Sequence, residues 1–336
     1  MIIDRAMENG IWSDTFKRLE QVYERMKKMG EINLFRISNE NAERLSAKFV
    51  ELEKSLQILI EKNMDKFFGI RFLASEYSTG IVHGGRIDSL GIDENNSPVI
   101  LEYKRSSNEN VINQGLYYLD WLLDHRAEFE LLVMKRLGSE VSEKIDWDGA
   151  RLLCIAGDYN KYDEYAVKQI NRNIELIRYR KYDDLLLFEL VNATQATLNS
   201  KSNYVANSNS SDNKYKSVSD YLKDLDGKTA ERYQHLKDYI MTLGDDVFEK
   251  ETKYYIAFKK IKNFVTVTFA PREGLIYLYL KLDPNEYINH INQYSEMIRN
   301  VKDIGHWGTG DIEVKVRSDE DLDVAKQLIL ESYEMN

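Results

Sequence analysis

The sequence predicts two domains: an α/β domain whose mixed sheet is covered by helices, followed by a separate small α+β domain. Helical and strand periodicities alternate across residues 45–191, which is typical of an α/β sheet. Periodicity disappears over residues 192–214, where Asn, Ser, Thr and Lys dominate, so we expect a linker there. It returns over residues 215–336, and a chain of 336 residues is long enough for two or three domains.

The composition narrows the class of protein. Hydrophobic residues make up 43% of the chain, which is enough for real cores. No apolar run is long enough to span a bilayer, and no charged-then-apolar leader is visible. The one cysteine, Cys154, stands in an apolar run, which indicates a buried strand residue and no oxidising compartment. We therefore expect a soluble, cytoplasmic protein with no membrane partner.

The net charge of −10 bears on the choice of partner. A protein that binds nucleic acid non-specifically usually has a basic surface, so the negative net charge is evidence against tight binding to bulk DNA. It does not exclude a nuclease, because carboxylates that hold divalent cations add to the negative count and the bound cation reverses the local sign.

Residues 1–44 are predicted to form an N-terminal extension. Apolar residues between Phe16 and Met26 recur at helical spacing, which predicts an amphipathic helix that ends near Gly30. A short strand is predicted over residues 32–37. The helix either packs on the domain behind it, which is the interpretation we favour, or mediates a homodimer.

The elements of residues 45–191 begin with a helix over residues 47–66. Its apolar face is flanked by Glu53, Gln57 and Glu61. A turn rich in Asp, Asn, Ser and Pro is predicted at residues 93–98. Strands are predicted at 71–77, 86–92, 99–104, 151–156, 174–179 and 185–190, and helices at 109–125, 127–137 and 162–172.

The C-terminal domain is predicted from the same signals. Residues 264–269 alternate large apolar groups with small polar ones, and the turn at residues 271–274 makes a hairpin. The predicted helices are 218–225, 230–243, 286–301 and 320–333, and the predicted strands are 254–258, 264–269, 275–282 and 311–316.

Three charged residues are predicted to converge on the first sheet. A hairpin folded about residues 95 and 96 places Asp88 opposite Tyr103, within a residue or two of Glu102 and Lys104. Glu102 and Lys104 point to the same face, because strand side chains alternate. The run before them, residues 99–101, is continuously apolar, as in a central strand buried on both faces.

This group of residues suits phosphodiester hydrolysis. Two carboxylates can hold Mg²⁺, a hard cation that prefers oxygen ligands and can activate water. A neighbouring lysine can position the water or stabilise developing negative charge. The alternative is a simple ion pair at the edge of a sheet. Arg86 and Arg105 flank the group, where they either bind phosphate or form surface ion pairs.

The residues from Gly85 to Asp88 and from Val99 to Arg105 resemble the PD-(D/E)XK nuclease superfamily, in its NucS-like and RecB-like branch. Gln114 and Tyr118, four residues apart, match the Q-x-x-x-Y element of that branch, and Glu53 matches its first acidic residue. The resemblance covers about residues 45–190 and implies a restriction-endonuclease-like fold. Ile87 stands where the superfamily name has a proline.

The resemblance also implies roles for these residues. Asp88 and Glu102 would bind Mg²⁺ or Mn²⁺, with the Tyr103 carbonyl as a third ligand and Glu53 assisting. Lys104 would position the water. Gln114 would orient the site or contact the nucleic-acid backbone, with support from Tyr118, although ordinary core packing also explains this tyrosine. The expected substrate is nucleic acid, with DNA favoured, and the alternative is an inactive binding or interaction module with the same fold.

The C-terminal residues 215–336 resemble an uncharacterised domain that is often appended to such nucleases, which implies a role in recognition or regulation. Strand aromatics with Lys259, Lys260 and Lys262 between them predict either a stacking surface for single strands or, as we favour, a hydrophobic sheet face. The Gly-rich segment 306–310 is a candidate ligand loop.

Overall fold

The computed structural model describes residues 32–47, 53–104, 111–194 and 217–336. The predicted N-terminal helix lies outside these residues. The described chain falls into two compact units, the first with residues 32–47 and Arg180–Leu187 and the second with the remainder. In the first unit, β1 (Phe35–Ser38) and β2 (Asn41–Arg44) pair antiparallel. Arg36 there pairs with Asp183 at 3.0 Å.

The first six-stranded sheet has the order β3-β4-β5-β6-β7-β8 and confirms the predicted mixed α/β class. Strands β3, β4 and β5 are antiparallel neighbours, whereas β5, β6 and β7 run parallel. Strand β5 is therefore central, which explains why Val99, Ile100 and Leu101 are fully buried. The strands are β3 (Ile70–Ser78), β4 (Arg86–Asp93), β5 (Pro98–Lys104), β6 (Arg151–Ala156), β7 (Asn173–Tyr182) and β8 (Leu185–Thr194).

The helices around this sheet depart from prediction in two places. The helix predicted over residues 47–66 is broken at Asn63, and its second part ends at Gly69, whose φ of 64° forms a left-handed cap. The helix predicted to reach residue 172 ends at Lys168. The helices are α1 (Glu53–Lys62), α2 (Met64–Phe68), α3 (Gly80–His83), α4 (Val111–Asp124), α5 (Arg126–Leu137), α6 (Ser139–Ser142) and α7 (Lys161–Lys168).

The predicted linker is described only at its start. Strand β8 contains residues 192–194, and the structure next describes Ser217. The predicted domain boundaries stay predictions. Cys154 is buried on β6, as predicted. None of the described helices is both long and apolar enough to cross a bilayer.

The C-terminal sheet is antiparallel and has the order β13-β14-β12-β11-β10-β9. The hairpin at residues 271–274 is confirmed, and Gly274 there has a φ of 62°. The prediction of one helix over residues 286–301 is wrong, because a short helix is followed there by the edge strand β13. The elements are α8 (Val218–Lys223), α9 (Gly227–Met241), β9 (Phe248–Glu251), β10 (Ile256–Lys259), β11 (Asn263–Ala270), β12 (Leu275–Leu280), α10 (Ile288–Gln293), β13 (Ile298–Asn300), β14 (Ile312–Val316) and α11 (Asp319–Met335).

Aromatic residues of this sheet form a hydrophobic face, which is the interpretation that we favoured over a stacking surface for single strands. Phe258, Phe264 and Phe269 belong to the hydrophobic core. The Gly-rich segment packs on the sheet, where Thr309 N–H donates to Thr266 Oγ1 at 3.1 Å. Gly308 allows this approach, because a Cβ there would lie 2.3 Å from Thr266 Oγ1. Close packing of the backbone therefore accounts for glycine at this position.

A buried charged quartet joins the two sheets within the second unit. Glu175 on β7 accepts from Arg151 at 2.6 Å and from Lys259 of β10 at 2.8 Å, and Arg151 also pairs with Asp93 at 3.5 Å. Burial alone would raise the pKa of Glu175, but the two cations hold it at about 2. Burial and the neighbouring Arg151 lower the pKa of Lys259 to about 8.

The turn between β4 and β5 also contacts the C-terminal sheet. Asn95 Oδ1 accepts from Tyr255 OH at 2.9 Å and from Asn263 Nδ2 at 2.7 Å. At about 3.3 Å per residue, this turn lies roughly 15 Å along β4 from Asp88. The C-terminal sheet therefore docks at the opposite end of β4 and β5 from the predicted carboxylates.

Candidate active site

The hairpin of β4 and β5 brings the predicted carboxylates together. Ser89 pairs with Leu101, so one step further along the same register places Asp88 opposite Glu102. The prediction that Asp88 faces Tyr103 is wrong by one residue. The reason is the turn, where Asp93 N–H donates to Ser97 O and Asn96 takes a φ of 60°, so that three residues reverse the chain.

Asp88 and Glu102 fix each other through the backbone. The N–H of Asp88 donates to Glu102 Oε1 at 3.2 Å, and the N–H of Tyr103 donates to Asp88 Oδ2 at 3.1 Å. Each carboxylate is thereby anchored to the strand that carries the other. The two groups are held side by side, so their charges repel each other directly.

Glu102 is the most unusual residue of this site. Its side chain is fully buried, and its Oε2 has no hydrogen-bond partner within the part of the chain that the structure describes. Burial first, and then the Asp88 carboxylate, raise the pKa of Glu102 to about 9. Burial also raises the pKa of Asp88. A buried acceptor without a partner is costly, so this arrangement needs a proton or a cation to complete it.

Lys104 and Glu53 complete the edge of the site. The Lys104 Nζ lies 3.9 Å from Glu53 Oε2, and the lysine side chain is 17% exposed. Glu53 is the first residue described in α1, so the predicted acidic residue does reach the site. The contact is to Lys104, and a role for Glu53 in holding metal stays a prediction.

Gln57 is a residue of the site that the sequence did not indicate. It is buried, and its Nε2 donates to the carbonyl of Asp88 at 2.7 Å and to Glu61 at 2.9 Å. Glu61 also accepts from Ser89, which accepts from the Tyr103 hydroxyl at 3.0 Å. This network fastens α1 to both strands that carry the carboxylates, because its polar groups are satisfied together.

Gln114 and Tyr118 form a chain of hydrogen bonds to the first residue of β4. Gln114 Nε2 donates to the Tyr118 hydroxyl at 3.4 Å, and that hydroxyl accepts from the Arg86 N–H at 3.2 Å. Tyr118 is buried in the core of the first sheet. Gly85 allows the close approach, because a Cβ there would lie 2.5 Å from the Tyr118 ring. These contacts favour a supporting role for Gln114 and Tyr118. Direct contact of either residue with nucleic acid stays a prediction.

The flanking arginines differ in what the structure describes. Arg86 Nε lies 2.5 Å from Glu76, which also pairs with Lys54 at 2.6 Å. The Arg86 side chain is exposed, so the ion-pair interpretation is confirmed and phosphate binding stays a prediction. Arg105 lies outside the described residues.

The kinds of ligand atom in the site indicate which metal it can bind. Across the described ranges, no group of three or more His, Cys, Asp or Glu side chains is arranged as a metal site. Two adjacent carboxylates, one with a partnerless buried oxygen, nevertheless suit a hard cation that keeps several waters, as Mg²⁺ does. They do not resemble the three or four nitrogen and sulfur ligands of zinc.

Comparison with known proteins gives three findings. Residues 218–336 match a family described as a domain of unknown function, DUF5655. An uncharacterised protein of Haemophilus influenzae is 28% identical over 288 residues, which cover 83% of this chain and 92% of that relative. The chain is also similar to the structure of an EndoMS-dsDNA2 complex, with 16% identity and a TM-score of 0.23. That match covers 44% of this chain and 65% of the other.

Proposed function

We propose that this protein hydrolyses phosphodiester bonds in nucleic acid, with DNA as the favoured substrate, through Mg²⁺ or Mn²⁺ held by Asp88 and Glu102. The observation that carries the proposal is the buried Glu102 oxygen that lacks a partner among the described residues, next to a second carboxylate. Glu175 also has a buried oxygen without a hydrogen bond to the described residues, but two cations pair with that carboxylate, whereas Glu102 lies beside a second carboxylate, and a buried carboxylate without a cation destabilises the fold.

The residues present fit the metal that the superfamily resemblance implies. Asp88 and Glu102 would hold it, with the Tyr103 carbonyl as a candidate third ligand. A bound Mg²⁺ supplies an acidified water and neutralises charge on the phosphate. The backbone donors from Asp88 and Tyr103 orient both carboxylates before any ligand arrives.

The other residues of the site position and balance charge. Lys104 places an ammonium two residues from Glu102 on the same strand face, where it would stabilise negative charge that develops on the phosphate. Glu53 holds that ammonium at the edge of the site. Gln57 fixes the carbonyl of Asp88, and Tyr118 fixes the Arg86 N–H, so β4 is held on both sides of the carboxylate.

The proposal is tested by cleavage of single-stranded, double-stranded and branched DNA, and of RNA, with Mg²⁺, with Mn²⁺ and with chelator. We expect Glu102→Gln and Lys104→Ala each to lower metal-dependent cleavage by about a thousandfold. Calorimetry with Mn²⁺ should show binding that Glu102→Gln removes and Lys104→Ala retains. Glu140→Gln, which removes a carboxylate from the exposed side of a helix, is the matched control.

The outcomes separate two functions. Metal binding without cleavage of any nucleic acid would favour the inactive binding module. Absence of both metal binding and cleavage would overturn the proposed active site.

A further inference from the structure

The loop between β3 and β4 ends in two exposed aliphatic side chains. Ile81 is 101% exposed and Val82 is 96% exposed, side by side in the single turn of α3. Gly80 and Gly84, with φ values of 81° and 61°, bend the chain on either side of them. Single exposed apolar residues are ordinary, but two fully exposed neighbours at the tip of a loop indicate a contact with something outside the chain.

The base of this loop is firmly held. The Thr79 N–H donates to the Gly85 carbonyl at 3.0 Å, and the Gly85 N–H donates to Thr79 Oγ1 at 3.0 Å. The His83 carbonyl accepts from the Tyr117 hydroxyl at 2.9 Å, and the His83 ring lies 5.2 Å from that of Tyr117. The tip is therefore presented on a fixed base, which lowers the entropy lost when it contacts a partner.

The tip of the loop lies at the same end of the strands as the carboxylates. The loop leads directly into β4, where Arg86 is the first residue and Asp88 the third. The six Cα-to-Cα steps from Val82 to Asp88 span at most about 20 Å. At 3.4 Å per nucleotide step, the tip can reach bases within about six steps of a phosphate held at Asp88.

At the same end of the sheet, the helix that follows β6 carries exposed aromatic rings that can stack on bases. Ala156 ends β6 opposite Lys104, and α7 follows, with Tyr162 and Tyr165 both exposed. Residues three apart share a helix face, so the two rings lie on one side of α7. The Lys161 ammonium lies 5.1 Å from the Tyr162 ring centre. Aromatic rings beside a cation suit nucleobases, which have a π-face and a charged backbone.

We infer that Ile81 and Val82 form an apolar wedge that inserts between neighbouring bases of the nucleic acid held at Asp88 and Glu102. Small apolar side chains that enter a base step unstack it and bend the strand, which brings more of the substrate onto the protein. The inference rests on the proposed function and adds the residues that would distort the substrate near the cleaved phosphate.

The test is a set of DNA duplexes with 2-aminopurine at successive positions, because this base brightens when it is unstacked. Binding is measured by anisotropy and by 2-aminopurine fluorescence with Ca²⁺ in place of Mg²⁺. The wild-type protein should brighten the probe within about six steps of the cleaved phosphate. Ile81→Ser/Val82→Ser should lose this signal and bind about tenfold more weakly. Ile81→Leu/Val82→Leu should retain both properties.

The control is Ile288→Ser/Ile304→Ser, which removes two exposed aliphatic side chains from the C-terminal residues and should leave both readouts unchanged. If the wild-type protein cleaves DNA and the serine variant matches it in binding and fluorescence, the wedge is overturned while the nuclease stands. If no metal-dependent cleavage or binding occurs, both proposals fail. Binding to phosphatidylglycerol vesicles that depends on the tip, without a 2-aminopurine signal, would also overturn the wedge.

Discussion

Glu102 and Glu175 are buried glutamates on strands of the same sheet, separated only by β6, and their surroundings differ sharply. Glu175 receives Arg151 and Lys259, and its pKa falls to about 2. Glu102 lies against Asp88, and its pKa rises to about 9. Burial is common to both, so the neighbouring charges decide which carboxylate is ionised.

The difference separates a structural charge from a functional one. The Glu175 group carries two acids and two bases, so it is balanced without any ligand. Among the described residues, the Glu102 group has more carboxylate than the Lys104 ammonium can balance, because Glu53 also faces that lysine. A divalent cation bound beside such carboxylates would stabilise the fold as well as support chemistry.

The largest expected effect on stability is at Glu175. Glu175→Gln should lower the free energy of unfolding by about 3–5 kcal/mol, because it leaves Arg151 and Lys259 buried beside a neutral group. Denaturation by urea, followed by circular dichroism, measures this change. Glu189→Gln is the control, since Glu189 pairs with Arg178 at 2.9 Å on the same sheet but is partly exposed. That change should cost less than about 1 kcal/mol. Equal losses in the two variants would contradict a special role for the quartet.

The same substitution at Glu102 should have the opposite sign. In chelator at neutral pH, Glu102→Gln should raise the free energy of unfolding by about 2 kcal/mol, because the amide is already neutral, whereas folding raises the pKa of the Glu102 carboxyl above the pH and forces it to take up a proton. Thermal denaturation with chelator and with Mn²⁺ provides the measurement. Mn²⁺ should stabilise the wild-type protein and leave the variant unchanged. A destabilised variant in chelator would show that Glu102 is a structural residue like Glu175.

The sequence predicted the site better than it predicted the junction between the sheets. Asp88, Glu102 and Lys104 meet because of strand alternation and one local hairpin, and both are visible in the residues. The error of one residue in register came from Asn96, whose left-handed backbone shortens the turn. Gln57 was missed because a polar residue beside an apolar stripe has the same pattern whether it faces water or a strand carbonyl.

The charged quartet had no sequence signal. Asp93, Arg151 and Glu175 come from three strands of the first sheet, and Lys259 reaches them only because the second sheet docks beside the β4–β5 turn. Strand β13 was missed for a related reason. It has three residues, of which only Ile298 is buried, so no alternation was available to distinguish it from the helix before it. Local patterns predict elements, whereas contacts distant in sequence depend on packing that the patterns do not contain.

The smallest effect is the pH dependence that Glu175 confers. Its pKa is lowered by folding, so its contribution is complete above the usual glutamate pKa of about 4.5 and is lost as the pH falls towards about 2. Between pH 5 and pH 3.5, we expect the wild-type protein to lose about 1 kcal/mol more stability than Glu175→Gln. Urea denaturation of both proteins at each pH measures the difference, in which titration of the other carboxylates cancels. A constant difference across this range would show that Arg151 and Lys259 do not hold Glu175 ionised, and the contrast with Glu102 would then fail.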